Sequence, residues 1–145
     1  MAVRPDALAD TGAILAVIDR DDRWHHLCSD TLHQLRFPLL TSEAVLTELF
    51  HLFAKRSRET ESAWTFLHSG AITLATIADD ELPRLHELMH RYSDHPMDFA
   101  DATLVYLAER ESLSTIFTVD HADFSTYRIA GRRRFRVLPL DRPKR

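Results

Sequence analysis

Cysteine is nearly absent: Cys28 stands alone among 145 residues, so neither an internal disulfide nor a thiolate metal cage can form. Glycine is scarce, with 3 residues, which excludes collagen-like repeats and glycine linkers. No uncharged apolar run approaches the roughly 20 residues that a membrane helix needs. The opening stretch MAVRPDALAD meets an acid before any apolar region develops, unlike a secretory signal. A soluble, cytoplasmic protein with no membrane association is expected.

What is present suits one globular domain over residues 1–145. Hydrophobic residues make up 45% of the chain, enough for a core and too many for a disordered segment. Charge is unevenly placed. From Arg128 onward, eight Lys or Arg face Asp141 alone, a net +7, while the preceding 127 residues carry −11. A basic C-terminal segment beside an acidic body suits a polyanion bound near metal-holding acids; a solvated tail that balances the charge fits the pattern equally well.

The most informative stretch is MDFADATLVYLAERESLSTIFTVDHADF, from Met97 to Phe124. Met97, Leu104, Val105 and Ala108 recur at helical spacing, and Asp101 falls inside their apolar stripe with Asp98 one turn earlier. A carboxylate aimed at a core is costly to keep ionised without a cation or hydrogen-bond donors. Thr115 to Val119 then reads as a strand that stops at Asp120.

Further acids come from the rest of the chain. A short strand around Leu8 ends near Asp10, where Asp-Thr-Gly before an apolar run makes a good N-cap. His25 to Leu35 reads as a helix, and Phe37 to Ser42 as a second strand. Glu48 lies beside the apolar stripe of the following helix, whereas Glu43 sits in its first turn, where an acid satisfies the helix dipole. A helix over Glu59 to His68, a strand over Ile72 to Ile77, a helix to about Tyr92 and a last strand over Phe135 to Leu138 complete the chain. Strands alternating with helices predict an α/β fold with a mainly parallel sheet, and such sheets place their sites beyond the strands' carboxyl ends. Asp10 and Asp120 stand at such ends. Singly, Asp10, Asp98, Asp120 and Asp123 can each be explained as caps. Jointly, convergent carboxylates call for a neutralising cation, and hard oxygen donors without thiolates select Mg²⁺ or Mn²⁺.

The segments LADTGAILAVI, SEAVLTELFHLF, MDFADATLVYLAER and IFTVDHADF resemble the four acidic motifs of the PIN domain, and in particular those of VapC-type toxins. The resemblance spans nearly the whole chain in the right order. It implies a PIN-like three-layer α/β/α sandwich and an endoribonuclease using one or two Mg²⁺ or Mn²⁺ ions and an activated water. It also implies products with a 5′-phosphate and a 3′-hydroxyl, and a cognate antitoxin. Carried over by position, Asp10, Glu48, Asp101 and Asp120 match the catalytic acids, with Asp10, Asp98, Asp101 and Asp120 as metal ligands. Thr11, Thr118 and Asp123 are accessory. Arg132, Arg133 and Arg134 are expected to bind the RNA backbone without reading sequence.

Two other readings compete. His86-Glu87-Leu88-Met89-His90 is a literal H-E-x-x-H zinc-protease pattern, with Glu109 as a candidate third ligand. Against it, Leu85, Leu88, Met89 and Tyr92 mark that helix's buried face, and Ser93 and Pro96 stand where the metzincin extension needs Gly and His. The second is a metal-free PIN-like binding module, which would be expected to have lost an acid, whereas none is missing. Trp24, Trp64, Phe50 and Phe53 could furnish a homodimer or antitoxin surface, or simply fill the core.

Overall fold

A computed structural model describes residues 3–144. Met1 and Ala2, which open the N-terminal stretch read above, and Arg145, the last of the basic residues, lie outside the described residues.

Strand β1 (Ala7–Ala9) is short, apolar and wholly buried, as a central strand covered on both faces must be. It pairs in parallel with β2 (Leu39–Ser42) on one side and β4 (Thr115–Phe117) on the other, so that Leu8 faces both Leu40 and Ile116. The outer positions are taken by β3 (Ile72–Ala75) beside β2 and β7 (Arg136–Leu138) beside β4. The five-stranded order is β3-β2-β1-β4-β7, parallel throughout. Helices flank this sheet as expected for the α/β sandwich: α1 (Thr11–Ile18), α2 (His25–Gln34), α3 (Glu43–Leu52), α4 (Ser57–His68), α5 (Leu82–Arg91), α6 (Phe99–Glu111) and the short α7 (His121–Thr126). No helix among the described residues is long and apolar enough to cross a membrane.

Helix α6 departs from the single apolar stripe read in the sequence. Ala100, Asp101, Ala102, Thr103, Leu104, Val105, Leu107 and Ala108 are all buried, so the helix is enclosed on nearly every side. Its alanines let neighbours approach closely, and it packs against α3, α5 and β2. Thr103 is also buried, and its hydroxyl meets that of Ser42 at 2.7 Å, tying α6 to the end of β2.

The basic segment is largely built into the fold. Arg128–Ile129 (β5) and Arg133–Arg134 (β6) form an antiparallel hairpin whose first strand packs on α6. Ala130 and Gly131 turn it with φ of 53° and 76°. A Cβ at Gly131 would stand 2.7 Å from a guanidinium nitrogen of Arg91, the movable end of a long side chain, so it is the left-handed turn that calls for glycine. The Arg128 guanidinium caps the carbonyls of Ser125, Thr126 and Tyr127, so this cation is structural, whereas Arg136 lends its backbone to β7 and leaves its side chain exposed.

Leu104 is fully buried in the middle of α6. Leu104→Ala removes its methyl groups from a packed interior and is expected to cost about 3 kcal/mol of unfolding free energy, measured by urea denaturation.

Candidate active site

The candidate acids gather beyond the carboxyl ends of β1, β2 and β4, where helices begin. Asp10 follows β1 directly, held by its backbone N–H on the Phe117 carbonyl at 2.9 Å. It is the N-cap of α1 and accepts from the Thr11 N–H at 2.8 Å. Its other carboxylate oxygen accepts from the Thr118 hydroxyl at 2.8 Å. That hydroxyl also accepts from the Asp120 N–H at 3.0 Å, so Thr118 links the end of β1 to the end of β4. Gly12 permits this closeness, since a Cβ there would lie 2.5 Å from a methyl of Val119. Thr11 turns its hydroxyl to the Val45 carbonyl at 3.4 Å, so it ties α1 to α3.

Asp98 caps α6 by accepting from the Asp101 N–H at 2.8 Å, and Asp120 caps α7 by accepting from the Asp123 N–H at 3.2 Å. Asp101 lies within the first turn of α6, 9% exposed. Its Oδ2 accepts from the Tyr127 hydroxyl at 2.9 Å. Tyr127 itself is fully buried, edge-on to Tyr92, His95 and Phe124. Sequence reasoning missed this phenol. No spacing rule links positions 26 residues apart, and the one available signal was that a buried tyrosine needs a partner for its hydroxyl.

The electrostatics follow from burial and crowding. Asp101 has its carboxyl pushed up to about 8, first by burial and then by the charges of Asp10 and Asp98. Burial also raises Asp10, against the lowering effect of its two hydrogen bonds, with Asp98 and Asp123 adding repulsion. Asp120 is raised to about 6 by burial and by its neighbour Asp123. Glu48 is exposed on α3, yet its carboxyl is raised by the protein around it and by Asp98 and Asp10. The Tyr127 hydroxyl is held protonated by burial and by Asp101, which keeps it a donor.

The acids of this field offer carboxylate oxygens, the donor type that suits Mg²⁺ or Mn²⁺, and each raised carboxyl would be returned to its charged form by a cation. The donor set fits such an ion. Among the described residues, no three His, Cys, Asp or Glu side chains stand close enough to form a finished cage. Beside the acids opens a cavity of about 760 Å³, lined in part by Glu48, Asp98, Thr47, Leu74, Leu82 and Phe99. The last three are exposed apolar side chains.

The other sequence candidates lie elsewhere. Arg132, Arg133 and Arg134 are exposed on the hairpin. His86 and His90 are exposed on α5, and Glu109, the proposed third zinc ligand, is bound by the Arg84 guanidinium at 3.0 Å. His121 opens α7 with its ring 5.2 Å from that of Trp24. Phe53 is buried, whereas Trp64 is 45% exposed and stacks on Phe50 at 4.8 Å.

Comparison with known proteins bears on the family and the fold. The PIN domain model matches residues 7–131. The chain belongs to the PIN-domain family. Within it, the chain is of the VapC type: over 134 residues it is 34% identical to Ribonuclease VapC26 of Mycobacterium tuberculosis, covering 91% of this chain and 99% of that protein. The crystal structure of Mycobacterium tuberculosis VapC20, described as a toxin that cleaves the sarcin-ricin loop, matches with a TM-score of 0.67. That match covers 76% of this chain and 86% of the other at 18% identity, and it shows a shared PIN fold.

The buried acid of this PIN domain has a pH signature. Asp101 sits near 8 in the folded chain against 3.8 for an ordinary carboxyl. Its contribution to stability is therefore intact below about pH 4 and lost as pH rises through 8. In EDTA, Asp101→Asn is expected to melt higher than wild type at pH 8, by on the order of 5 °C, with the gap closing toward pH 4. Added Mg²⁺ should raise wild type more than the variant. Differential scanning fluorimetry across pH reads both effects.

Proposed function

We propose that this PIN-domain protein is a Mg²⁺- or Mn²⁺-dependent endoribonuclease, the toxin of a VapBC-type pair, and that it is silenced by a cognate antitoxin. The observation that carries this reading is the burial of Asp101 beside Asp10. These carboxylates are fixed by Tyr127, Thr118 and the first turns of α1 and α6, in a field that raises both. The VapC26 relative is named a ribonuclease and VapC20 a toxin that cuts the sarcin-ricin loop, which supports RNA as the substrate class.

In this reading Asp10, Asp98, Asp101 and Asp120 hold one or two divalent ions, and Glu48 faces them from the groove side. A bound divalent ion supplies charge neutralisation and Lewis acidity toward the phosphodiester. Thr118 and Thr11 keep the ends of β1 and β4 and helix α3 in register around the acids. Asp120 stands partly exposed at the solvent side of the acids, where a bound ion would hold its carboxylate in the charged form. Asp123 stands behind it. The exposed Arg132, Arg133 and Arg134 draw the RNA backbone toward the domain without reading bases. Leu74, Leu82 and Phe99, exposed along the groove, support a protein partner there, with an antitoxin and a homodimer the partners of this reading.

Cleavage of a mixed RNA pool tests the proposal. Wild type should cut with Mg²⁺ or Mn²⁺ and stop in EDTA. Asp101→Asn should lose on the order of 100-fold or more, while His86→Ala stays at wild-type rate. Activity indifferent to EDTA and to Asp101→Asn would refute the acidic-site nuclease. Converting Arg132, Arg133 and Arg134 to alanine should weaken RNA binding for all sequences alike. It should also flatten the salt dependence, by about one in slope for each phosphate that an arginine had neutralised.

A further inference from the structure

A histidine outside the acidic motifs touches both limbs of the site. His95 lies in the turn between α5 and α6, its N–H on the Tyr92 carbonyl at 3.0 Å. Its Nε2 meets Asp123 Oδ1 at 2.6 Å, across 28 positions of sequence. The same ring stands edge-on to Tyr127, with centroids 5.9 Å apart at 79°. Tyr127 donates to Asp101, and Asp123 donates its N–H to Asp120. One imidazole therefore contacts the phenol that holds Asp101 and the carboxylate that neighbours Asp120.

Asp123 needs such a partner. It adds its charge to those around Asp10, Asp101 and Asp120, and a carboxylate facing like charges swings away unless a donor holds it. A carboxylate has no hydrogen to give, so Nε2–H is the donor in this contact. With Oδ1 engaged, the Asp123 carboxylate is held in one orientation.

We propose that His95 is a positioning residue for the acidic site: its hydrogen bond to Asp123 holds that carboxylate in place behind Asp120, and the site's affinity for a divalent cation depends on it. This rests on the cation-dependent reading given above. Groups that orient the ligands of a metal site commonly change its affinity by 10- to 100-fold when lost.

Two substitutions separate hydrogen bonding from packing. His95→Leu keeps an apolar body against Tyr127 and cannot donate. His95→Gln places an amide N–H near the position of Nε2 and can. Mn²⁺ binding to the full chain, stripped with EDTA and dialysed, is measured by isothermal titration calorimetry, with circular dichroism confirming the fold of each variant. We expect His95→Gln to bind within about threefold of wild type and His95→Leu to bind about tenfold more weakly or worse. Asp123→Asn should weaken binding as His95→Leu does, and the double variant no further. The Asp123→Asn comparison decides the matter if His95→Leu does not fold: wild-type affinity there overturns the proposal. So does a His95→Leu that binds like wild type, or a His95→Gln that falls with it. A wild-type chain that takes up no Mn²⁺ overturns the cation-dependent reading and this inference together, whereas the other failures overturn this inference alone.

Discussion

Like charges do not gather by themselves, and the constraint on which this structure depends is the backbone that makes them gather. β1 and β4 are adjacent parallel strands, so their carboxyl ends deliver Asp10 and Asp120 to the same edge of the sheet. Thr118 spans the two by hydrogen-bonding the Asp10 carboxylate and the Asp120 N–H. α6 then brings Asp98 and Asp101 in on its first turn. None of these residues can leave without breaking a cap or a strand pairing, so repulsion appears as raised carboxyl groups instead of as a dispersed site.

Three of the four candidate ligands are also helix caps. Asp10, Asp98 and Asp120 accept from the N–H groups that open α1, α6 and α7. A cap uses one lone pair of one oxygen, and a carboxylate has room for more. The helix ends also carry partial positive charge, which offsets part of the cost of holding anions there. A cap role, which the sequence poses against a ligand role for each acid separately, therefore does not exclude the proposed one.

Much of the fold was readable because its signals are local and strong. Short apolar strands ended at caps, amphipathic helices followed, and their alternation implied a parallel sheet. Asp101 was conspicuous because an acid in an apolar stripe breaks the pattern. Its partner Tyr127 was not, because the bond between them is made by tertiary packing. Helix α7 escaped because six residues are too few to show a period. The β5–β6 hairpin escaped for another reason: it turns on Ala130 and Gly131, and alanine at positive φ carries none of the usual Asn-Gly or Asp-Gly signal. Counting charge alone then made Arg128 look like part of a tail, when its guanidinium closes the carbonyl end of α7.

The same crowding links stability to the proposed chemistry. Burial and mutual repulsion raise both Asp10 and Asp101, so keeping them ionised near one another costs the folded chain stability at neutral pH. A cation that binds the folded state and not the unfolded one returns that free energy by mass action. On the proposed reading, repulsion among the acids is therefore what makes the site bind a divalent ion. Relieving it by substitution would stabilise the domain and remove the reason for a cation to bind. The hydrogen bonds from Thr118 and Tyr127 act on the other side of that balance. They fix the carboxylates in direction without cancelling their charge, which leaves the cancelling to whatever cation enters.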